Sequence, residues 1–187
     1  MSVAVAEKKH WTPQEYLEME RHSVEKHEFF DGEVFLMAGA SLEHNLVVGG
    51  LLAALRAAVG EKCMVLPSDQ RLHVPSIGLY TYADATVVCG EARLNEDNPP
   101  ALLNPQVICE VLSDSTESYD RGKKFSMYRT IEGFTDYLLL SQDQPIIEHY
   151  RRQPAGGWLL QEIRQGAVHL ACGDLPLEQV FEQRLRR

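Results

Sequence analysis

The segment Val107-Ile108-Cys109-Glu110-Val111-Leu112 is apolar at every position but one. A strand turns successive side chains to opposite faces, so a run apolar on both has to be covered on both. The fold therefore needs layers on either side of a sheet. Glu110 is the anomaly in that run, because a charge inside a buried strand has to be paired, protonated or metal-bound. Tyr82-Ala83-Asp84-Ala85-Thr86-Val87-Val88 repeats the pattern, with Asp84 near the start of the strand. Two buried strands that each carry a carboxylate suggest a divalent-cation site.

The rest of the chain supplies the covering elements. Thr12-Pro13-Gln14-Glu15 combines an N-cap threonine, a first-turn proline and a glutamate that closes a capping box, which predicts a short helix to about Glu20. The stretch 27–36 reads as two strands around an Asp31-Gly32 turn. Ser41 opens a long helix closed by Gly60, with Val48, Leu51, Leu52, Leu55 and Val59 as its expected buried stripe. Gly49-Gly50 weakens that helix, and close packing against the sheet would account for both glycines. Strands are expected at 63–66, 70–74, 80–89 and 106–112, with 91–104 as an acidic surface connection. A helix over about 120–132 precedes strands at 136–141, 146–151, 158–165 and 168–170 and a last helix over 177–185. This order defines an α/β (α+β) domain, a mixed β-sheet flanked by helices.

At 187 residues the chain fits a single domain, 1–187, with a flexible N-terminus over about 1–10. No apolar run approaches the ~20 residues of a membrane span, and residues 1–7 lack a signal-peptide core. Cys63, Cys89, Cys109 and Cys172 show no CxxC spacing; three of them sit in strand-like apolar runs, where a small buried hydrophobe is the simple reading. A cytoplasmic location is the expectation. The net charge of −9 argues against a broad nucleic-acid-binding surface but leaves room for a local basic groove. Arg121-Gly122-Lys123-Lys124, Arg151-Arg152 and the terminal Arg184–Arg187 stretch are the dense basic patches, the last expected to be a solvated end.

On the helix near Asp120, Lys124 shares one face with Met127, Tyr128 and Ile131, whereas Lys123 points about 100° away. Lys124 can therefore extend past its apolar stem toward an anion near the sheet. If Asp84 and Glu110 lie on adjacent strands, all three groups converge. The chemistry would then be metal-assisted phosphodiester hydrolysis, with Asp84, Glu110 and a backbone carbonyl, best that of Val111, as hard oxygen ligands for Mg²⁺. Two carboxylates ~4 Å apart repel by roughly 4 kcal/mol at an effective dielectric of about 20, and a divalent ion opposes that repulsion. The same residues also suit a buried ion pair, in which Lys124 neutralises Glu110 for packing and Asp120–Lys124 is an ordinary helical pair.

His27-Glu28-Phe29-Phe30-Asp31-Gly32-Glu33-Val34, Ser41-Leu42-Glu43-His44, Ala83-Asp84, Glu110-Val111-Leu112-Ser113 and Asp120-Arg121-Gly122-Lys123-Lys124 with Tyr128 resemble, in that order, the Uma2 family. That family is assigned to endonucleases of the restriction-endonuclease-like, PD-(D/E)XK fold. The resemblance runs from about Thr12 to Arg151. It implies Asp84 and Glu110 as metal ligands, Mg²⁺ or Mn²⁺ as cofactor, and a lysine displaced from the usual E-x-K position. Leu112 stands at that position, and Lys124 matches the lysine on the following helix. Ala83 and Asp114 depart from the family's prolines, and Asp114 adds negative charge near the phosphate site.

His44 opens the inward face of the long helix and matches the family; a role near phosphate or metal and a plain hydrogen bond at a helix start both fit it. Glu28 and Glu33 flank the hairpin turn as accessory carboxylates or ordinary polar hairpin residues. Ser113, Ser115 and Thr116 suit helix capping better than phosphate binding. Cys109 faces away from Glu110 and lacks a neighbouring base. Two functional readings follow: a Mg²⁺-dependent endonuclease acting on DNA by family analogy, or a non-catalytic binding or regulatory module on the same fold. A homodimer would enlarge the small DNA contact area of one acidic domain.

Overall fold

The computed structural model describes residues 9–37 and 39–185, so most of the expected flexible N-terminus and the last two arginines lie outside the described residues. Helix α1 (Pro13–His22) starts as its sequence requires: the Thr12 side chain accepts from the Glu15 amide, and the Glu15 carboxylate accepts from the Thr12 amide. Strands β1 (His27–Phe30) and β2 (Glu33–Leu36) form the expected hairpin. Its turn needs positive φ at both central residues, and Asp31 and Gly32 adopt 49° and 75°.

Helix α2 (Leu42–Ala58) is capped by Ser41, whose hydroxyl accepts from the His44 amide. Its buried face comprises Val47, Gly50, Leu51, Ala54 and Leu55. The expected stripe is thus right at Leu51 and Leu55 and misphased at Val48, Leu52 and Val59, which are only partly buried. This helix is apolar nearly all round, so periodicity alone does not fix its rotation. Gly50 packs against the carbonyl of Val180 in the C-terminal helix, where a Cβ would lie 2.0 Å from that oxygen, while Gly49 faces open space. The close packing is helix on helix and not helix on sheet.

Strands β3 (Cys63–Pro67), β4 (Arg71–Val74), β5 (Leu79–Tyr82), β6 (Ala85–Cys89) and β7 (Val107–Leu112) follow. The single strand expected over 80–89 is two strands in two sheets. Both halves are buried on both faces, so the apolar pattern carries no sign of the break at Ala83-Asp84. The connection over 91–104 is not wholly superficial, since Ala101 and Leu102 are buried and Leu102 bridges to Leu72 and Leu94.

Next comes a helical passage of three pieces: α3 (Glu117–Tyr119), a π-type turn (Asp120–Lys124) and α4 (Phe125–Tyr128). It begins before the expected position and ends earlier. Strands β8 (Asp136–Ser141), β9 (Ile147–Arg152), β10 (Trp158–Ile163), β11 (Ala167–Leu170) and β12 (Gly173–Pro176) precede α5 (Leu177–Leu185). Only β12 has no counterpart in the sequence expectation.

Among the described residues the strands make a four-stranded sheet β2-β1-β5-β4, a six-stranded sheet β10-β9-β8-β7-β6-β3 and the β11-β12 pair. The six-stranded sheet is mixed, with β7 and β8 parallel and its other neighbours antiparallel. One face packs Val87, Cys109 and Leu138 against α2 and α5. The opposite face packs Ile108, Leu112 and Leu139 against α4 and the strands of the smaller sheet. Coverage on both sides of β7 is what its apolar run demanded. No described helix is long and apolar enough to cross a membrane.

Cys109 is the small buried hydrophobe expected, but Cys63 and Cys89 depart from that reading. Cys63 and Cys89 face each other across β3 and β6 and form a disulfide, while Cys109 is free and buried and Cys172 is free and partly buried. Periodicity cannot show a bond between residues 26 positions apart.

Candidate active site

The ladder between β6 and β7 pairs Thr86 with Ile108 and Ala85 with Cys109. Asp84 immediately precedes β6 and accepts from the amide of Val111, the neighbour of Glu110 on β7, so the entry into β6 brings both carboxylates to one cleft. At that same point the chain passes from the four-stranded to the six-stranded sheet. A cleft of about 1170 Å³ opens there, lined among others by His44, Asp84, Glu110, Val111, Asp120 and Lys124.

Lys124 is buried and its Nζ lies 2.8 Å from Glu110 Oε1 and 3.6 Å from Asp120 Oδ1. Lys123 is exposed, as the helix phase requires. Asp120 and Lys124, four residues apart across a π-type turn, are both buried on the same side. The Tyr128 hydroxyl donates to Glu110 Oε1 at 3.0 Å. Asp84 is held from the other side: its Oδ2 accepts from the Val111 amide at 2.7 Å and lies 3.3 Å from His44 Nε2.

The charges are unequal. One ammonium serves Glu110 and Asp120 directly, with Asp84 and Glu28 also within its electrostatic reach or that of its partners. Burial pushes the Glu110 carboxyl up to about 8; Lys124 opposes this, and Asp120 and Asp84 add to it. Burial raises Asp120 as well, against the pull of Lys124. For Lys124, burial disfavours the charged form, but Glu110 and Asp120 outweigh it and hold the ammonium well above the ordinary lysine range. The two shifts share one cause: burial favours the neutral form of Glu110, while the carboxylates around Lys124 favour its charged form. Burial lowers His44, but its hydrogen bond and charge interaction with Asp84 raise it above the usual histidine value.

Glu28 is the residue that sequence reasoning undervalued. It is buried and lines the cleft, accepting from Thr81 Oγ1 at 2.6 Å and from the Tyr119 hydroxyl. Strand parity already set it opposite Phe29; the missing information was that its own face is covered. Glu33 does not line the cleft. Ser113, Ser115 and Thr116 do, but Thr116 makes no side-chain cap and the Ser113 hydroxyl instead bonds those of Ser115 and Thr116 at 3.1 and 3.0 Å. The capping expectation is thus corrected. Asp114 lines the cleft, and Cys109 lies on the far face with its thiol raised by burial.

A divalent cation would suit this donor set. Mg²⁺ takes hard oxygens, often only one or two carboxylates, and keeps several waters. Asp84 and Glu110 line the same cleft, and carboxyl groups there outnumber cations. No group of three His, Cys, Asp or Glu side chains converges as a ready-made cage among the described residues. Glu110 Oε1 is instead engaged by Lys124 and Tyr128.

A mixed sheet covered on both faces, with two carboxylates and a buried lysine lining one cleft, places the protein among nuclease-like α+β folds. A crystal structure described as "a putative nuclease belonging to DUF820", from Anabaena variabilis ATCC 29413, superposes with a TM-score of 0.69 at 14% identity, covering 90% of this chain and 96% of that one. At that identity the likeness speaks for the fold. The chain belongs to the Uma2 family, described as "Putative restriction endonuclease", whose pattern it matches over residues 13–182. It is also similar to two proteins of Synechocystis sp. (strain ATCC 27184 / PCC 6803 / Kazusa). "Uncharacterized protein sll1609" is 36% identical over 86% of this chain and 92% of its own length. "Uncharacterized protein slr1290" is 34% identical over 80% and 78%.

Proposed function

We propose that this protein is a Mg²⁺-dependent endonuclease that hydrolyses phosphodiester bonds of DNA, with Asp84, Glu110 and Lys124 as its catalytic set. The observation that carries the reading is the convergence of Asp84 and Glu110 on one cleft, with Lys124 2.8 Å from Glu110. Asp84, Glu110 and the Val111 carbonyl would hold the ion. When bound it supplies Lewis acidity and a water of lowered pKa. Lys124, fixed as a cation, orients the water or contacts the phosphate and stabilises charge developing there. His44 holds Asp84 in place through Nε2. Mn²⁺ is the natural substitute ion, and a homodimer would widen the DNA contact.

The closed ion pair favours a second reading, a non-catalytic binding module that keeps the acidic cleft. Plasmid nicking with Mg²⁺ or Mn²⁺ separates the two. Wild type should nick, and Asp84→Ala and Lys124→Ala should not. Equal nicking by all three proteins would sink the catalytic reading, as would diffraction data placing no Mn²⁺ between Asp84 and Glu110.

A further inference from the structure

Beside the acidic centre the cleft has an apolar wall. Phe35 and Leu36 on β2 and the following Met37 line it, and Phe35 and Leu36 are 41% and 59% exposed. Phe35 pairs directly with Glu28, so it shares the hairpin face from which Glu28 enters the cleft. Phe30 is on that face by strand parity, and the Lys123 ammonium lies 4.7 Å from its ring centre. An exposed aromatic ring and a cation thus share the hairpin face that leads to Asp84 and Glu110.

The charge balance limits what can lie there. Three lysines line the cleft against six carboxylates. Lys124 is committed to Glu110 and Lys26 to Asp69 at 2.6 Å, whereas Lys123 makes no ion pair with a carboxylate among the described residues. Duplex DNA brings one phosphate charge per about 1.7 Å of axis and is held by many cations. A single strand can instead be held through its bases, which stack on aromatic rings whatever their sequence.

We propose that the cleft takes single-stranded DNA, with an unpaired base on Phe35 and one neighbouring phosphate on Lys123; this rests on the endonuclease reading above. The test is fluorescence anisotropy of a short labelled oligonucleotide, single-stranded or annealed, with Ca²⁺ replacing Mg²⁺. The single strand should bind about 10-fold more tightly than the duplex, and Phe35→Ala should weaken it by about 10-fold while Phe35→Trp retains it. The plot of log affinity against log salt should have a slope of about −1, as expected for one or two phosphate contacts. Phe35 is exposed enough that its truncation leaves the core intact. Equal or tighter duplex binding, a steep salt slope, or indifference to Phe35→Ala overturns the proposal and leaves the endonuclease reading standing. Failure to bind either form overturns both.

Discussion

The six-stranded sheet buries two acid–base pairs, one on each face. On the α2 and α5 face, Asp136 and His149 are almost fully enclosed, with Nε2 and Oδ1 2.7 Å apart. The other Asp136 oxygen accepts from the Thr135 hydroxyl at 2.7 Å and the Ala171 amide at 3.4 Å. One base serves one acid, and the pair ties the β11–β12 hairpin to the sheet. On the opposite face, Lys124 and Glu110 are nearly as buried, but they border a cleft and one cation serves two carboxylates directly. Burial of charge does not by itself distinguish a structural pair from a reactive one. Stoichiometry and access do: the first acid has a base to itself in a closed interior, and the second shares one lysine with Asp120 where a ligand can enter.

Substitution should separate the two pairs most sharply in plasmid nicking. Lys124→Ala is expected to lower Mg²⁺-dependent cleavage by roughly 1000-fold, comparable with loss of a strong transition-state contact, while Asp136→Asn leaves cleavage per folded molecule unchanged. Comparable losses in both would erase the distinction. In denaturant melts, His149→Ala should cost about 3–5 kcal/mol, because it strands a buried carboxylate. A cost below about 1 kcal/mol would mean that the pair is not structural.

The pairs should also differ with pH. Glu110 keeps its proton in the folded protein up to about 8, whereas its ordinary value is 4.5. Unfolding between those values releases a proton, so metal-free stability falls as pH rises through that window. His44 slopes the same way: its raised pKa contributes stability that is full below 6.5 and is lost as pH rises through the folded value. Glu110→Gln removes only the first contribution and should flatten the decline between about pH 5 and 8 by on the order of 2–4 kcal/mol. Urea melts in EDTA at the two pH values measure it, and parallel curves for wild type and variant would refute it. The smallest effect belongs to a site remote from both pairs. Thr12→Ala should cost about 1 kcal/mol through loss of the α1 cap and leave nicking intact.

Much of the site was legible because its residues violate their surroundings. Asp84 and Glu110 interrupt apolar strands, and Lys124 falls on the inward side of a helical phase that Met127 and Tyr128 define. Elements with local chemistry were equally plain: the Thr12 capping box, the Asp31-Gly32 turn and the Ser41 cap. Residues whose meaning depends on distant neighbours were not. Glu28 becomes a cleft residue only once Tyr119 and Thr81 cover its face. The break at Ala83-Asp84 is invisible because the strands on either side are both interior, and the rotation of α2 depends on neighbours such as Val180, against which Gly50 packs. The π-type turn at 120–124 leaves no mark in residue type.

The Cys63–Cys89 bond makes the intervening chain a covalent ring. That ring contains β4, β5 and Asp84, so one of the two cleft carboxylates is carried on a closed circuit while Glu110 and Lys124 lie outside it. A backbone cut between residues 64 and 88 would leave the two fragments tethered. On a denaturing gel such a nicked protein would migrate as one species until a reductant parted it.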